Sequence, residues 1–185
     1  DKFSPVNPYS NDKKIVIGWT GTFSSKIYLD LLRNIFRDLA KRYDFKLRVI
    51  GNFQYDLPGV ELEVIQWTSE MEANDLQGID IGVYPLTNNE WVLGKSGLKA
   101  IQYMAFGIPT VATNVGTTPK IINHKINGWL VKTDQEWIEA LEVLMKDSKL
   151  RRKIGENARL TVLENYSINV IKFQYSSILN KIVKN

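Results

Sequence analysis

Short apolar runs alternate with segments of helical periodicity along most of the chain. The runs are rich in β-branched residues and lie at 14–19, 46–50, 60–67, 79–84, 109–113 and 128–131. Between and after them, segments with apolar residues every three or four positions lie at 24–43, 69–77, 96–106, 118–123 and 134–145. Buried strands joined by helices are typical of a parallel sheet, because parallel strands need a crossover connection. The pattern therefore predicts an α/β fold with a parallel sheet of about six strands and helices on both faces.

The two ends of the chain differ from this alternating pattern. Residues 1–13 carry two prolines, two serines and two asparagines without an apolar period, which predicts a linker or inter-domain segment. At the other end, two helices are predicted at 148–165 and 167–183, and Ser167 stands where it can cap the last one. Asp134 is predicted to cap the helix before them. The predicted organisation is thus a linker over 1–13, one domain over 14–166, and a C-terminal helix over 167–185.

Composition narrows the class of protein. The 185 residues are 44% apolar and 24% charged, which is typical of one soluble globular domain. The absence of cysteine excludes disulfides, thiolate metal sites and cysteine nucleophiles. The chain has a single histidine, which gives no support for a Ser-His-Asp triad. No apolar run approaches the length of a membrane span and no signal peptide is evident. A cytoplasmic location is compatible with these features.

The charge balance raises a nucleic-acid alternative without favouring it. The chain has 24 Lys and Arg against 20 Asp and Glu, a formal net charge of +4. These charges are scattered rather than massed in one segment, and no recognised nucleic-acid motif is present. We therefore expect no nucleic-acid partner.

Ligands of open parallel sheets bind beyond the carboxyl ends of the strands, so the turns that follow strands are the first candidates for a site. Gly18-Trp-Thr-Gly21-Thr22 follows the first strand, and its backbone amides together with the next helix would suit a phosphate. The alternative is that Gly18 and Gly21 only permit a tight turn. The turn 113–118 is a weaker candidate of the same kind.

A second candidate lies between a loop and a predicted helix, at Gly94-Lys95-Ser96-Gly97-Leu98. Lys95 could neutralise a diphosphate, the amides of Gly97 and Leu98 could donate to it, and Ser96 could cap the helix. The structural alternative is a capped surface helix with a solvated lysine. Trp67, at the end of a predicted strand, could line a base or sugar pocket. His124, in a polar stretch, reads as an exposed loop residue rather than a base.

The segment 94–113, GKSGLKAIQYMAFGIPTVAT, resembles the signature of the group 1 (family 4) glycosyltransferases of the GT-B fold. That signature reads approximately E-G-F-G-L-x-x-x-E-A-M-A-x-G-x-P-V-V-A-T. The matching positions, in register over the segment, are Gly97, Leu98, Met104, Ala105, Gly107, Pro109, Val111, Ala112 and Thr113. The stretches 18–22, 80–85 and 127–131 also look like segments of this family. The resemblance covers nearly the whole chain, from about 14 to 170.

The resemblance implies a Rossmann-like, doubly wound domain that holds a nucleotide-diphosphate sugar. It further implies a retaining glycosyltransferase of the hexosyltransferase type that needs no metal or other cofactor and transfers the sugar to a glycan or lipid acceptor. In such enzymes an N-terminal domain binds the acceptor and carries most catalytic groups, and the last helix braces it. We therefore expect this chain to be the donor-binding half of a longer enzyme and to be inactive alone. The location would be cytoplasmic or at the inner face of the membrane, with peripheral membrane contact of the full-length enzyme left open.

The site residues that the resemblance suggests fall into two groups. The diphosphate and donor group comprises Gly21, Thr22, Lys26, Lys95, Ser96, Gly97 and Leu98. The ribose and base group comprises Gln102 and Trp67.

The chain departs from the family signature where the signature has two glutamates. Gly94 and Gln102 occupy these places. The first glutamate of the family touches the donor sugar and the second binds the ribose hydroxyls. The family's arginine after the first glycine loop is replaced by Thr22, and Lys26 matches the following lysine only loosely. Lys95 and Lys99 flank the second loop, so we hypothesise that they compensate for the lost charge.

These departures leave alternatives open. One is a catalytically degenerate nucleotide-binding or interaction module, and another is a domain like a nucleotide-sugar epimerase. Binding of nucleoside diphosphates would distinguish the first alternative, and product identity with the full-length chain would distinguish the second.

Overall fold

Residues 14–183 are described by the computed structural model, the side chains at 181 and 183 excepted. The predicted linker at 1–13 lies outside the described residues. Six strands form one sheet, and every neighbouring pair is parallel. The strands are β1 Ile15–Thr20, β2 Phe45–Gly51, β3 Glu61–Gln66, β4 Ile81–Tyr84, β5 Thr110–Thr113 and β6 Trp129–Val131. Their order in the sheet is β3-β2-β1-β4-β5-β6, which confirms the doubly wound Rossmann-like prediction.

The helices lie between the strands and after the last of them. They are α1 Lys26–Leu29, α2 Arg33–Ala40, α3 Glu72–Gln77, α4 Glu90–Leu93, α5 Leu98–Ala105, α6 Thr118–Ile121, α7 Asp134–Lys146, α8 Ser148–Asn165 and α9 Ile168–Val183. A 3₁₀ turn at Phe23–Ser25 leads into α1, and a second one at Asp30–Leu32 joins α1 to α2, so the four form one nearly continuous helical segment. Sequence reasoning missed α4 and predicted a loop there, because α4 is only four residues long. Its cap is Asn89, whose side chain accepts a hydrogen bond from the Val92 amide at 3.0 Å.

Apolar side chains pack on both faces of the sheet, as predicted. On β5, Val111 joins the cluster that includes α2 and α7, whereas Ala112 joins the cluster on the opposite face with α5 and α8. Successive residues of a strand point to opposite faces, so a strand buried on both sides reads as a continuous apolar run. This is the reason that the strands could be recognised in the sequence.

Helix ends show one correction and one confirmation. The residue that caps α7 is Thr133 and not Asp134. Its hydroxyl oxygen accepts from the Glu136 amide at 3.2 Å, and the Glu136 carboxylate accepts from the Thr133 amide at 3.3 Å. The prediction that Asp134 caps the helix was wrong by one residue. At the start of α9, the Ser167 hydroxyl oxygen accepts from the Val170 amide at 3.4 Å, as predicted.

The last helix exposes much of its apolar surface. Ile168 is 84% exposed and Phe173 is 75% exposed. The proposal that residues 167–185 brace an N-terminal domain stays a prediction. Among the described residues, none of the helices has the length and apolar content required to traverse a bilayer.

The order of strands reverses between β1 and β4, and glycines let the neighbouring elements approach closely at this point. Gly18 of β1 lies opposite Gly82 of β4. A Cβ at Gly82 would stand 2.6 Å from the ring of Tyr103, and a Cβ at Gly18 would stand 2.3 Å from the side chain of Ile79. The Tyr103 hydroxyl accepts a hydrogen bond from the Thr20 amide at 2.8 Å. Tyr103 therefore connects α5 to the carboxyl end of β1.

Replacing Tyr103 by phenylalanine is expected to destabilise the fold while preserving its packing. The ring stays in place, but the buried Thr20 amide loses its acceptor, which costs about 1–3 kcal/mol. Chemical denaturation measures the change in free energy of unfolding. Tyr175→Phe is the matched control, because Tyr175 is 66% exposed and its hydroxyl is expected to contribute less than about 0.5 kcal/mol. Equal stabilities of the two variants would contradict the role assigned to Tyr103.

Candidate functional site

A cavity of about 500 Å³ lies beyond the carboxyl ends of β1 and β4, where the strand order reverses. This is the location at which doubly wound sheets bind ligands. The residues that line the cavity come from both halves of the sheet. The first half contributes Thr20, Gly21, Thr22, Asn52, Trp67 and Glu72. The second half contributes Tyr84, Lys95, Ser96, Leu98, Lys99 and Gln102.

The cavity brings most of the predicted site residues together. Those that line it are Gly21, Thr22, Trp67, Lys95, Ser96, Leu98 and Gln102. Gly21 and Lys95 thus share one crevice, although 74 positions separate them in the sequence. Their roles in binding stay predictions.

Lys26 does not line the cavity, so the structure does not support its predicted place beside a diphosphate. Its ammonium lies over the ring of Tyr55, with Nζ 5.7 Å from the ring centroid. The chain forms a 3₁₀ turn over Phe23–Ser25 before α1 begins at Lys26. This turn separates Lys26 from the glycine loop and carries its side chain to Tyr55.

The amides of the first glycine loop are occupied by the protein itself. The Gly21 amide donates to the Ile50 carbonyl at 2.9 Å, and the Thr22 amide donates to the Ser25 hydroxyl at 3.0 Å. Both amides are thus already bonded within the protein, and the role of this loop in holding a phosphate stays a prediction. Gly21 is required for space, since a Cβ would stand 2.2 Å from the indole of Trp19. This crowding agrees with the alternative role, in which Gly21 permits a tight turn.

The start of α5 differs from the first glycine loop, because its first backbone amides are not already bonded within the described residues. Gly97 takes the N-cap position with φ of 74°, a left-handed conformation that favours glycine. The prediction that Ser96 caps the helix is wrong, because the cap lies one residue later. Within residues 14–183, the amides of Leu98 and Lys99 donate to no other group. Gly97 itself does not line the cavity, whereas Leu98 and Lys99 do, so the first amides of α5 belong to residues of the cavity wall.

Two lysines add positive charge to the same wall. Lys95 Nζ lies 4.9 Å from the ring centroid of Tyr28, and Lys99 Nζ lies 5.5 Å from that of Trp19. Neither ammonium has a carboxylate within 4.0 Å among the residues that the structure describes. Burial, followed by the charge of Lys95, lowers the pKa of Lys99 to about 8. Two adjacent cations without a counter-ion indicate a site for an anion.

The lowered pKa of Lys99 predicts that binding of a nucleoside diphosphate weakens as the pH rises above about 8. Below this pH Lys99 is already protonated in the free protein. Above it, the protein must take up a proton to bind with a charged lysine, so affinity falls by up to about tenfold per pH unit. Titration of UDP between pH 6.5 and 9.5 measures this dependence. The Lys99→Arg variant keeps its charge and should show a flat profile, and a flat profile in the unsubstituted chain would contradict the prediction.

The cavity is also lined by a carboxylate that sequence reasoning did not identify. Glu72, the first residue of α3, accepts through Oε1 from the Gln102 Nε2 at 3.2 Å and from the Trp67 Nε1 at 3.4 Å. Asn52, directly after β2, was also missed. Both residues lie near the carboxyl end of a strand, so the rule that identified the glycine loops could have found them.

The remaining candidates contribute less. In the turn 113–118, the Thr118 hydroxyl bonds within the turn, and the Thr117 hydroxyl donates to the Lys95 carbonyl at 2.7 Å. The turn therefore supports the lysine loop from behind and does not line the cavity. His124 is an exposed loop residue, as predicted, and its Nδ1 accepts from the Leu130 amide at 3.1 Å.

The signature positions differ in what they can do. Gly94 leaves open space, since the nearest atom to an added Cβ is the Trp91 carbonyl oxygen at 3.7 Å. Because glycine has no side chain, residue 94 cannot make the side-chain contact with a sugar that the glutamate of the signature makes. Gln102, by contrast, lines the cavity and is held by Glu72. In the described part of the chain, no three His, Cys, Asp or Glu side chains are grouped to hold a metal ion, and the expectation of metal independence stays a prediction.

Comparison with known proteins identifies the family to which this chain belongs. The model of the glycosyl transferases group 1 family matches residues 2–161. This chain belongs to the group 1 glycosyltransferases. The match extends over the whole sheet and the cavity, so the glycosyltransferase family is assigned to the domain that carries the site.

Individual relatives agree with this assignment. The capsular polysaccharide biosynthesis glycosyltransferase CapM of Staphylococcus aureus is 26% identical over 182 residues, which cover 91% of this chain and 47% of that protein. The crystal structure of the C-terminal domain of the group 1 glycosyl transferase LpcC from Francisella tularensis superposes with a TM-score of 0.69 at 25% identity, covering 90% of this chain and 96% of that one. The structure of Anabaena HepE in complex with UDP-glucose has a TM-score of 0.72 at 14% identity, covering 97% of this chain and 54% of that one, and shows the same fold.

The glycosyltransferase chain spans between about a quarter and a half of the length of three curated relatives that it matches. The covered shares of those proteins are 24%, 34% and 47%. The predicted GT-B glycosyltransferase fold is confirmed by the structural neighbours.

Proposed function

We propose that this chain binds the nucleotide-diphosphate sugar of a glycosyltransferase that retains anomeric configuration. The observation that carries the proposal is the wall formed by Lys95, Lys99 and the open amides at the start of α5. This wall combines two cations with a helix N-terminus, which is a favourable environment for a diphosphate. It is placed at the reversal of strand order, within a cavity large enough for a nucleotide.

The diphosphate would lie against Lys95, Lys99 and the Leu98 amide, and Ser96 lines the same cavity. The nucleoside would extend toward Trp67 and Gln102, which also line the cavity. The indole of Trp67 is 42% exposed and can stack on a base or line its pocket. The two lysines support a place for the phosphates, and the exposed indole of Trp67 supports a place for the nucleoside.

The first test is calorimetric titration with UDP, GDP, ADP and inorganic phosphate. UDP is included because the HepE structure contains UDP-glucose. We expect saturable binding of at least one nucleoside diphosphate, with weaker binding of the matching monophosphate. Addition of EDTA should leave the affinity unchanged, since we propose a site that needs no metal. If no nucleoside diphosphate binds, the proposal is wrong.

The whole enzyme would contain an N-terminal acceptor-binding domain and would transfer the sugar to a glycan or lipid acceptor. It would work in the cytoplasm or at the inner face of the membrane. We expect the 185-residue chain to bind the donor without transferring the sugar, because in this proposal the N-terminal domain binds the acceptor and carries most catalytic groups. Supplying the N-terminal domain should restore transfer, and the anomeric configuration of the product, measured by NMR, tests retention.

A second candidate is a nucleotide-binding module that has lost catalysis. The favouring observation is Gly94, which leaves open space where the family signature has a glutamate. The Gly94→Glu variant distinguishes the two functions in the presence of the N-terminal domain. If the Gly94→Glu enzyme transfers the sugar much faster than the unsubstituted enzyme, the natural site has lost catalysis. If the unsubstituted enzyme itself transfers the sugar, the natural site is catalytically active.

A further inference from the structure

A carboxylate lines the cavity from a helix that does not carry the family signature. Glu72 lies at the start of α3, and its Oε1 is held by Gln102 and Trp67 at 3.2 Å and 3.4 Å. All three side chains line the cavity. The contact joins two residues that are 30 positions apart in the sequence.

Gln102 occupies the position at which the family signature has its second glutamate. A carboxylate only accepts hydrogen bonds, so the contact with Glu72 orients the amide of Gln102 with its nitrogen toward the carboxylate. The carbonyl oxygen of Gln102 is then left as an acceptor on the other side of the amide. An amide alone binds a hydroxyl less strongly than a carboxylate does, because charge-assisted hydrogen bonds are stronger.

A ribose presents two neighbouring hydroxyl donors, which require two acceptors close together. A carboxylate can accept several hydrogen bonds at once, and the side chains of Gln102 and Trp67 are among the groups that contact the Glu72 carboxylate. The pair therefore combines a charged acceptor on Glu72 with the amide oxygen of Gln102. This combination matches a cis-diol.

We propose that Glu72 is the ribose-binding carboxylate of this site, that Gln102 positions it, and that the pair selects ribonucleotides over 2′-deoxyribonucleotides. The inference rests on the proposed function, since a ribose reaches Glu72 only if a nucleotide occupies the cavity. In this chain the charged acceptor has moved from α5 to α3. The carboxylate that the signature has on α5, where this chain has Gln102, is thus supplied by Glu72 on α3.

The test compares UDP with 2′-deoxy-UDP, and ADP with 2′-deoxy-ADP, by calorimetric titration. We expect the unsubstituted chain to prefer the ribonucleotide by about tenfold or more. Glu72→Gln should weaken ribonucleotide binding by about tenfold and change the affinity for the deoxy form less than about twofold. The preference would then nearly disappear.

An exchange of the two side chains tests the pair. Gln102→Glu alone places two carboxylates in contact and should weaken binding of both nucleotides through repulsion. The double variant Glu72→Gln/Gln102→Glu again has one carboxylate and one amide, so the ribonucleotide preference should return. Rescue by this exchange would not be expected if Glu72 only supported the loop.

Glu70→Gln is the matched control, because it removes the same charge from a residue two positions away that does not line the cavity. It should leave the preference unchanged. Thermal unfolding of each variant verifies the fold. If Glu72→Gln fails to fold, Glu72→Asp keeps the charge on a shorter side chain and should reduce the ribonucleotide preference.

The outcomes separate the two proposals. Equal losses for UDP and 2′-deoxy-UDP in Glu72→Gln, or no loss in either, would overturn the role of Glu72 while leaving the nucleotide site intact. Failure of the unsubstituted chain to bind any nucleoside diphosphate would overturn the proposed function itself, and the ribose assignment with it.

Discussion

Replacing Lys95 and Lys99 together by methionine is expected to weaken binding of the diphosphate by at least about a hundredfold. Each ammonium would make a charge-assisted contact worth about 1.5–3 kcal/mol, which is roughly tenfold to a hundredfold in affinity. Methionine retains much of the apolar length that packs on Tyr28 and Trp19. Calorimetric titration of UDP measures the loss, with thermal unfolding as the check on folding.

The matched control for this prediction is Lys125→Met. Lys125 also lies over an aromatic ring, with Nζ 5.1 Å from the ring centroid of Trp129, but on a different groove of the surface. Its removal changes the net charge by the same amount per residue and should alter the affinity less than about twofold, because exposed charges are screened by salt. Similar losses in both variants would mean that the overall charge of the protein attracts the nucleotide and that the wall at α5 has no special role.

The Gly97→Ala substitution is expected to lower the free energy of unfolding by about 2–4 kcal/mol. Two effects contribute to this loss. A residue with a side chain is strained at φ of 74°, and the new Cβ would stand 2.3 Å from Ile121 Cδ1. Chemical denaturation measures the change. Gly94→Ala is the matched control three positions earlier, where φ is −80° and the nearest atom is 3.7 Å away.

The control is expected to be stabilising by about 0.4–1 kcal/mol, because alanine reduces the entropy of the unfolded chain. The double variant Gly97→Ala/Ile121→Val separates the two effects, since valine lacks the methyl group that clashes. It should recover the steric part of the loss and retain the part due to backbone strain. A Gly97→Ala variant as stable as Gly94→Ala would show that the start of α5 can rearrange, which would also weaken the argument for its amide donors.

The strands and long helices could be predicted from the sequence because burial on one or both faces requires apolar residues at regular positions. β5 and α7 show this, since the apolar run 109–113 and the period of 134–145 correspond to Thr110–Thr113 and Asp134–Lys146. The short helix α4 has too few residues for a period, and it was missed. The cap of α5 was misplaced by one residue because Ser96 and Gly97 both favour helix starts, and only the backbone conformation decides between them.

The candidate site could be located from the sequence but not described in detail. The rule that ligands bind at the carboxyl ends of parallel strands led to Gly21 and Lys95, and these residues do share a cavity. The rule does not say whether an amide is already bonded within the protein, as that of Gly21 is to Ile50. It also does not reveal pairs such as Glu72 and Gln102, which depend on how two helices approach one another. It also does not reveal that Lys26 lies beyond a 3₁₀ turn and over the ring of Tyr55 rather than along the cavity.

The narrow junction of the sheet has a consequence for dynamics. β1 and β4 pair over only two residue pairs, Ile17 with Ile81 and Gly18 with Gly82. This short pairing joins the half of the sheet formed by β3, β2 and β1 to the half formed by β4, β5 and β6. A nucleotide bound above this junction would touch Trp67 on one half and Lys95 on the other, and so act as a clamp across it. Occupancy should therefore slow hydrogen exchange at the amides of β1 and β4 more than at those of β3 or β6.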